Sequence, residues 1–266
     1  MNRAPIGIFD SGIGGLTVAR AIYDRLPRES TIYFGDTARV PYGPKSPETV
    51  TRYSLEILRW LLDQGVKAVV VACNTSTAHA LRALQDATPV PVLGVIKPGA
   101  RAAIAAGSGG PVGIIGTAGT IASDAYKRAI QALAPGLPVV QRACPLFVPL
   151  VEEGWFDHPA TELVAADYLR DMREASVRSL VLGCTHYPLL KPLLQRVMGP
   201  EVRLIDSGQA TAAALEAILV EKSLEASGSS DMYHRFVVSD DEARFRQVGA
   251  RFIGERLGKA EVVALG

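Results

Sequence analysis

Short apolar runs alternate along the chain with longer stretches in which apolar residues recur every three or four positions. That alternation is expected of strands buried in a parallel sheet and separated by amphipathic helices. Residues 5–9 read as a buried strand, followed by a glycine-rich turn, a helix over 16–26 and a second strand over 31–34. Pro41-Tyr42-Gly43-Pro44 must be a loop, because each proline fixes φ and removes a donor. Ser46 then supplies a cap, and Pro47 a first helical residue, for a helix reaching Gln64. Residues 66–72 form an apolar strand interrupted only by Lys67, and Asn74-Thr75-Ser76-Thr77 offers capping side chains for a helix to about Leu84. Further strands are expected at 90–95, 112–115, 139–140, 179–182 and 235–238. Helices are expected at 123–133, 160–173, 209–224 and 241–257, with a polar loop over 226–230. The pattern predicts an α/β fold with mostly parallel sheets, not a sandwich or a helical bundle.

Two segments repeat. Ile6-Gly7-Ile8-Phe9-Asp10-Ser11-Gly12 aligns with Val112-Gly113-Ile114-Ile115-Gly116-Thr117-Ala118, an offset of 106 residues. Val69-Val70-Val71-Ala72-Cys73-Asn74-Thr75 aligns with Leu180-Val181-Leu182-Gly183-Cys184-Thr185-His186, an offset of 111. Two matches in one order, at similar spacing, predict two pseudosymmetric lobes with one cysteine from each. Boundaries near Ile96-Lys97-Pro98-Gly99 and Asp206-Ser207-Gly208 divide the chain into a first lobe of 1–97 plus 208–266 and a second of 98–207.

Composition narrows the function. The 266 residues are 48% hydrophobic and 21% charged with a net charge of +1, which gives no basis for a nucleic-acid or membrane-surface partner. The three cysteines, Cys73, Cys144 and Cys184, lack C-x-x-C spacing, which argues against a disulfide framework and a thiolate zinc site. No apolar stretch reaches the ~18 residues of a membrane helix, and residues 1–5 lack a signal-peptide core, so a cytoplasmic protein with reduced thiols is expected.

Asp10-Ser11-Gly12-Ile13-Gly14-Gly15 follows a strand and opens a helix, but its glycines do not fit the G-x-G-x-x-G of a dinucleotide site. Asp36 would suit a ribose, yet Asp10 would oppose a pyrophosphate; the competing structural reading is that the glycines simply allow a tight turn. Asp10 and Ser11 read better as an acid and a hydroxyl at the mouth of a parallel sheet, where α/β ligand sites lie. Cys73 and Cys184 each follow a strand and precede capping residues, a position whose helix dipole favours the thiolate. A single such cysteine is more often a buried apolar residue, whereas matched positions in two lobes favour chemistry. Cys144 has no counterpart and reads as a core or strand-end residue. Two equivalent thiols suit inversion at a carbon, where one group removes a proton from one face and another supplies one to the opposite face. Asp10 and His186 stand close in sequence to these strand ends. Glu152 reads equally as a surface acid and His186 equally as a structural histidine. His79, His158 and His234 share no metal spacing and read as structural or exposed.

The chain resembles the cofactor-independent glutamate racemases of the aspartate/glutamate racemase superfamily through nearly its whole length. The resemblance rests on Asp10-Ser11-Gly12-Ile13-Gly14-Gly15-Leu16-Thr17-Val18, Gly35-Asp36-Thr37, Pro41-Tyr42-Gly43 and Ala72-Cys73-Asn74-Thr75. It continues in Gly116-Thr117-Ala118-Gly119-Thr120, Glu152-Glu153-Gly154 and Gly183-Cys184-Thr185-His186-Tyr187-Pro188-Leu189. The resemblance implies two α/β lobes with the active site in the cleft between them, no cofactor and no metal. It implies that Cys73 deprotonates D-glutamate and Cys184 L-glutamate, assisted by Asp10, Glu152 and His186. It places Asp10-Ser11, Tyr42-Gly43, Asn74-Thr75 and Thr185-His186 around the substrate, with Thr117 and Thr120 as further contacts. It further implies that D-glutamate feeds peptidoglycan synthesis, and so cell-wall biogenesis and cell shape. Because the segment before Ile6 is short, the regulation by a cell-wall precursor that some members draw from an N-terminal extension is not expected here. The expected partners are the small molecule glutamate and, through C-terminal or lobe surfaces, a second copy in a homodimer. Competing readings are a racemase for aspartate or another amino acid, a thiol hydrolase using Cys184 with His186, and a silent binding protein for acidic amino acids.

Overall fold

The computed structural model describes residues 3–226 and 232–265, so the loop expected at 226–230 lies, past Ala226, outside the described residues. The strands are β1 (Ile6–Asp10), β2 (Thr31–Gly35), β3 (Ala68–Val71), β4 (Val92–Gly94), β5 (Val112–Gly116), β6 (Val139–Ala143), β7 (Ser179–Gly183), β8 (Arg203–Asp206), β9 (His234–Val238) and β10 (Ala260–Val262). The α-helices between them are α1 (Leu16–Arg25), α2 (Pro47–Asp63), α3 (Asn74–Asp86), α4 (Ile96–Ala106), α5 (Ala118–Ala122) and α6 (Ala125–Leu133). They continue as α7 (Phe147–Glu152), α8 (Pro159–Tyr168), α9 (Arg170–Glu174), α10 (Lys191–Met198), α11 (Ser207–Glu221) and α12 (Glu242–Ile253).

Every pairing between these strands is parallel, in two sheets ordered β10-β9-β2-β1-β3-β4 and β6-β5-β7-β8. The sequence repeat therefore extends to topology: β2-β1-β3-β4 and β6-β5-β7-β8 place equivalent strands in the same order. Parallel pairing aligns the carboxyl ends, with Asp10 beside Gly35 and Gly116 beside Gly183.

Alternating side chains split each sheet between two apolar layers, as the period of two along a strand requires. Phe9, Val69 and Val71 pack with Ile57, Leu58 and Leu84 of α2 and α3. Ile6, Ile8 and Val70 belong to a larger cluster that also takes in Leu180 and Leu182 from the second sheet, with Phe147 of α7 and Tyr187 after β7. One continuous core thus joins both sheets. Val112, Ile114 and Val181 pack on the opposite side with Ala100 of α4 and Tyr126 and Ile130 of α6.

Several local expectations change. The helix expected at 123–133 is α6, which begins after Asp124 with its φ of 54°, and a short helix not expected from the sequence, α5 capped by Thr117, precedes it. The helix at 160–173 breaks at Leu169, and that at 241–257 ends before Gly254, whose φ is +67°. Ile96-Lys97-Pro98-Gly99 is the first turn of α4, where a proline is tolerated. α7, α10, β8 and β10 carry too little periodic apolar sequence to have been expected. Among the described residues no helix is long and apolar enough to cross a membrane.

Lys67, the exception in its apolar run, is buried and ion-paired at 2.6 Å with the buried Glu29 carboxylate. Glu29 also accepts from the Ala226 N–H at 2.8 Å, tying the chain after α11 to the first sheet. Removing one partner of a buried pair leaves an uncompensated charge, so Lys67→Met should lower unfolding free energy by about 3–5 kcal/mol in urea titrations. Lys67→Met with Glu29→Leu should recover much of that loss; a double variant no more stable than the single one would refute the charge explanation.

Candidate active site

The glycine-rich turn after β1 presents a buried acid and abuts the second sheet. Asp10 is fully buried, and its carboxylate accepts from the Gly12 N–H at 3.0 Å and the Thr185 hydroxyl at 3.5 Å. Burial raises its pKa above the usual carboxylate value, against the charge of His186 and nearby backbone N–H groups. None of Gly12, Gly14 and Gly15 takes a positive φ, so the tight-turn explanation of these glycines gives way to close approach. A Cβ on Gly14 would lie 2.3 Å from Thr185 Oγ1 and 2.4 Å from His186 Nδ1. Thr17 reinforces the contact, its hydroxyl lying 3.0 Å from the Thr185 carbonyl.

Cys73 is itself the N-cap of α3, a role expected of the residues that follow it. Its sulfur accepts from the Ser76 N–H at 3.4 Å, and its thiol donates to Ser11 Oγ at 3.6 Å. The helix terminus does not produce the expected lowering of the thiol pKa. Burial, with the Asp10 charge beside it, outweighs the Ser76 and Ser11 hydrogen bonds and pushes the value up to about 11. Cys73 is therefore held as a protonated thiol at neutral pH.

Cys184 occupies the equivalent strand end after β7, but it is followed by a 3-10 turn over Tyr187–Leu190 in place of the expected α-helix. Its polar support comes from His186, whose Nδ1 lies 3.9 Å from the sulfur. Nε2 of the same ring lies 3.1 Å from Glu152 Oε1. Burial alone would lower the imidazole pKa, but the interactions with Cys184 and Glu152 prevail and raise it to about 10. His186 is thus an imidazolium held between a sulfur and a carboxylate. Glu152 is depressed by His186, with Arg244 assisting at 3.1 Å, so the surface-acid reading gives way to a partly buried ion pair. Arg251 donates to the Glu152 backbone carbonyl.

The loop holding Tyr42 and Gly43 closes over the seam. The buried Tyr42 hydroxyl donates to Asp36, which also accepts from Arg39 Nε at 2.7 Å and Ser239 Oγ at 2.8 Å. Asp36, weighed above as a ribose ligand, is thereby committed to anchoring this loop. The Gly43 carbonyl accepts from the Gly119 N–H at 2.9 Å. Thr75 from α3 meets Thr117 and Thr120 from the second half, its hydroxyl 2.9 and 3.3 Å from theirs. Asn74 is buried, with Oδ1 accepting from the Tyr126 hydroxyl at 2.7 Å.

The structure thus gathers every expected site residue along one seam: Cys73 joins Ser11, Asp10 joins Thr185, and Cys184 joins His186 and Glu152. Cys144 stands apart, buried after β6 with its carbonyl accepting from the Tyr187 hydroxyl at 2.7 Å. His158 caps α8, His234 stacks on Tyr23, and half-buried His79 lies beside Gly119. Among the described residues no group of three His, Cys, Asp or Glu could hold a metal. Sequence reasoning missed Tyr126, Arg244 and Arg251. The two arginines stand seven residues apart, two turns along one face of α12, which is the signal that pairs them.

Comparison with known proteins follows the same lines. Residues 16–215 match the Asp/Glu/Hydantoin racemase family. The chain is 56% identical over 260 residues to a glutamate racemase of Geobacter metallireducens, covering 98% of this chain and 96% of the relative. It is 52% identical over 261 residues to a glutamate racemase of Syntrophus aciditrophicus, covering 98% and 97%. Among solved structures, glutamate racemase isoform RacE1 of Bacillus anthracis matches with a TM-score of 0.95 at 39% identity, over 100% of this chain and 99% of that one. A glutamate racemase of Francisella tularensis in complex with D-glutamate matches with a TM-score of 0.93 at 38% identity, over 100% and 99%.

The His186 interaction has a defined pH dependence. Its pKa rises from 6.5 to about 10 on folding, so the stabilisation is complete below pH 6.5 and fades as pH rises through about 10. The difference in urea midpoint between the wild type and His186→Gln should be largest near about pH 6 and shrink toward about pH 10.5. A difference that grows with pH would contradict the charged imidazolium.

Proposed function

This chain belongs to the Asp/Glu/Hydantoin racemase family and is an amino-acid racemase; we propose that it interconverts L- and D-glutamate without a cofactor, through two thiols. The observation that carries this reading is the pair of cysteines at equivalent strand ends, linked across the seam through Ser11, Asp10, Thr185 and His186. The relatives named glutamate racemase, and the D-glutamate in the Francisella tularensis structure, support glutamate as the substrate.

In the D-to-L direction the Cys73 thiolate takes the α-proton, and the Cys184 thiol gives its proton to the opposite face. Cys73 is left protonated and Cys184 ionised, which is the state required for the reverse reaction. The surroundings differ as these roles require. The His186 imidazolium, backed by Glu152, stands ready to stabilise a thiolate at Cys184. Cys73 must lose its proton beside Asp10, whose raised pKa fits it to share a proton there. Ser11, Tyr42, Gly43, Asn74, Thr75, Thr117, Thr120 and Thr185 bind the substrate. Their hydroxyl, amide and backbone donors, in a water-poor site, stabilise charge developing on the α-carboxylate.

The catalytic unit divides into lobes of 1–97 plus 208–266 and 98–207. Strand membership of the two sheets supports that division, and α4 and α11, which start at the two crossings, pack against each other. A homodimer is the assembly that the lobe or C-terminal surfaces would form. The D-glutamate product supplies peptidoglycan synthesis, and three free cysteines suit the reducing cytoplasm of a bacterium.

Incubation with D- or L-glutamate in deuterium oxide should place deuterium at the α-carbon during racemisation with no added cofactor. Cys73→Ser and Cys184→Ser should each lower kcat/KM by about 10²–10⁴-fold. Racemisation of aspartate but not glutamate would reject the substrate. An acyl-enzyme dependent on Cys184 alone would make the protein a hydrolase, and glutamate binding without α-hydrogen exchange would make it a binding protein.

A further inference from the structure

Tyr126 touches both halves of the site from α6, fully buried and outside the set of substrate-binding residues. A Cβ on Gly183, the residue before Cys184, would lie 3.2 Å from its ring. Its hydroxyl donates to Asn74 Oδ1 at 2.7 Å and interacts with Ser207 at the start of α11. Gly99 leaves room for this arrangement, since a Cβ there would stand 3.3 Å from the tyrosine oxygen and 3.2 Å from Ser207 Cβ.

The contact with Asn74 has a defined direction. A phenol has one proton, and here it is directed to Asn74 Oδ1. The carboxamide cannot turn over without setting its NH2 group against the tyrosine proton. Asn74 Nδ2 is consequently a buried donor with no protein partner, 3% of the residue being exposed. Leaving such a donor unmet is costly, so the arrangement favours any ligand that brings an acceptor to it.

We propose that Tyr126, with Ser207 behind it, is a positioning residue that locks the Asn74 carboxamide with its NH2 group offered to the substrate, making this corner of the site a receptor for a carboxylate oxygen. The inference rests on the reading of the site as that of a glutamate racemase. Tyr126 makes no contact with substrate; it decides which end of Asn74 does. Without the phenol proton the amide is free to present its carbonyl, which repels a carboxylate and accepts from an ammonium.

The test is a kinetic double-mutant cycle in both reaction directions. Tyr126→Phe should raise KM for D- and L-glutamate by about tenfold while leaving kcat nearly unchanged. In an Asn74→Ala background the same substitution should add almost nothing, because the group it acts through is gone. A purely structural tyrosine would give additive losses. An unchanged KM, a fall confined to kcat, or full additivity would overturn the proposal. If Tyr126→Phe fails to fold, Ser207→Ala decides: a several-fold rise in KM that vanishes with Asn74→Ala supports it, and any other result overturns it. A wild-type protein that does not racemise glutamate would overturn both readings, whereas an active wild type with unresponsive variants would strike the role of Tyr126 alone.

Discussion

Charge buried without a partner is among the most expensive arrangements a protein can contain, and this site places Asp10, Cys73, Cys184 and His186 out of water along one seam, with Glu152 partly so. Each is tolerable only because its neighbour answers it. His186 keeps its charge by lying between the Cys184 sulfur and Glu152, and Glu152 keeps its own against His186 and Arg244. Asp10 lies fully buried among backbone N–H groups and the Thr185 hydroxyl, with the cost of burial visible in its raised pKa. A proton moved onto or off either thiol changes the balance for all of them. The seam is thus an electrostatic unit, and its geometry constrains the two sheets more strictly than apolar packing alone would.

Strict constraint explains the close approaches. Gly14 runs against Thr185 and His186 with no room for a methyl group, while Thr75, Thr117 and Thr120 share hydroxyl contacts across the same line. The apolar cluster that includes Ile8 and Leu182 continues behind the seam from one sheet to the other. The duplicated strand order makes the two strand ends alike in backbone, whereas the residues around them are unlike. Asp10 corresponds to Gly116 in the repeat, and Thr75 to His186. One half supplies an acid near its thiol and the other a cation.

Much of this was legible in the sequence, for physical reasons. Strands buried on both faces are uniformly apolar, so β1, β3, β5 and β7 announced themselves, and the repeat of Cys73 and Cys184 pointed to the candidate site. What stayed hidden depends on partners distant in the chain. Lys67 looked like a flaw in a strand until Glu29, thirty-eight positions earlier, was placed beside it. The thiol of Cys73 was expected to be acidic from its helix terminus; burial next to Asp10 reverses the sign, and no local pattern reports burial. Asp36 could be recognised as important without its task being readable, since Tyr42, Arg39 and Ser239 converge on it only in three dimensions. β8 and β10 are short strands whose pairing depends on neighbours already in place.

The arginines of α12 carry a consequence for biosynthesis. Glu152 is translated some ninety residues before Arg244, and strands β1 to β8 precede β9, which completes the pairing of β2. A nascent chain emerging from the ribosome can assemble the sheet bearing Cys184 while the carboxylate that backs His186 still lacks its guanidinium neighbour. The Glu152 carboxylate therefore gains its last neighbour only as the final segment of the polypeptide docks, so that vectorial synthesis leaves this ion-pair network incomplete until the chain is nearly whole.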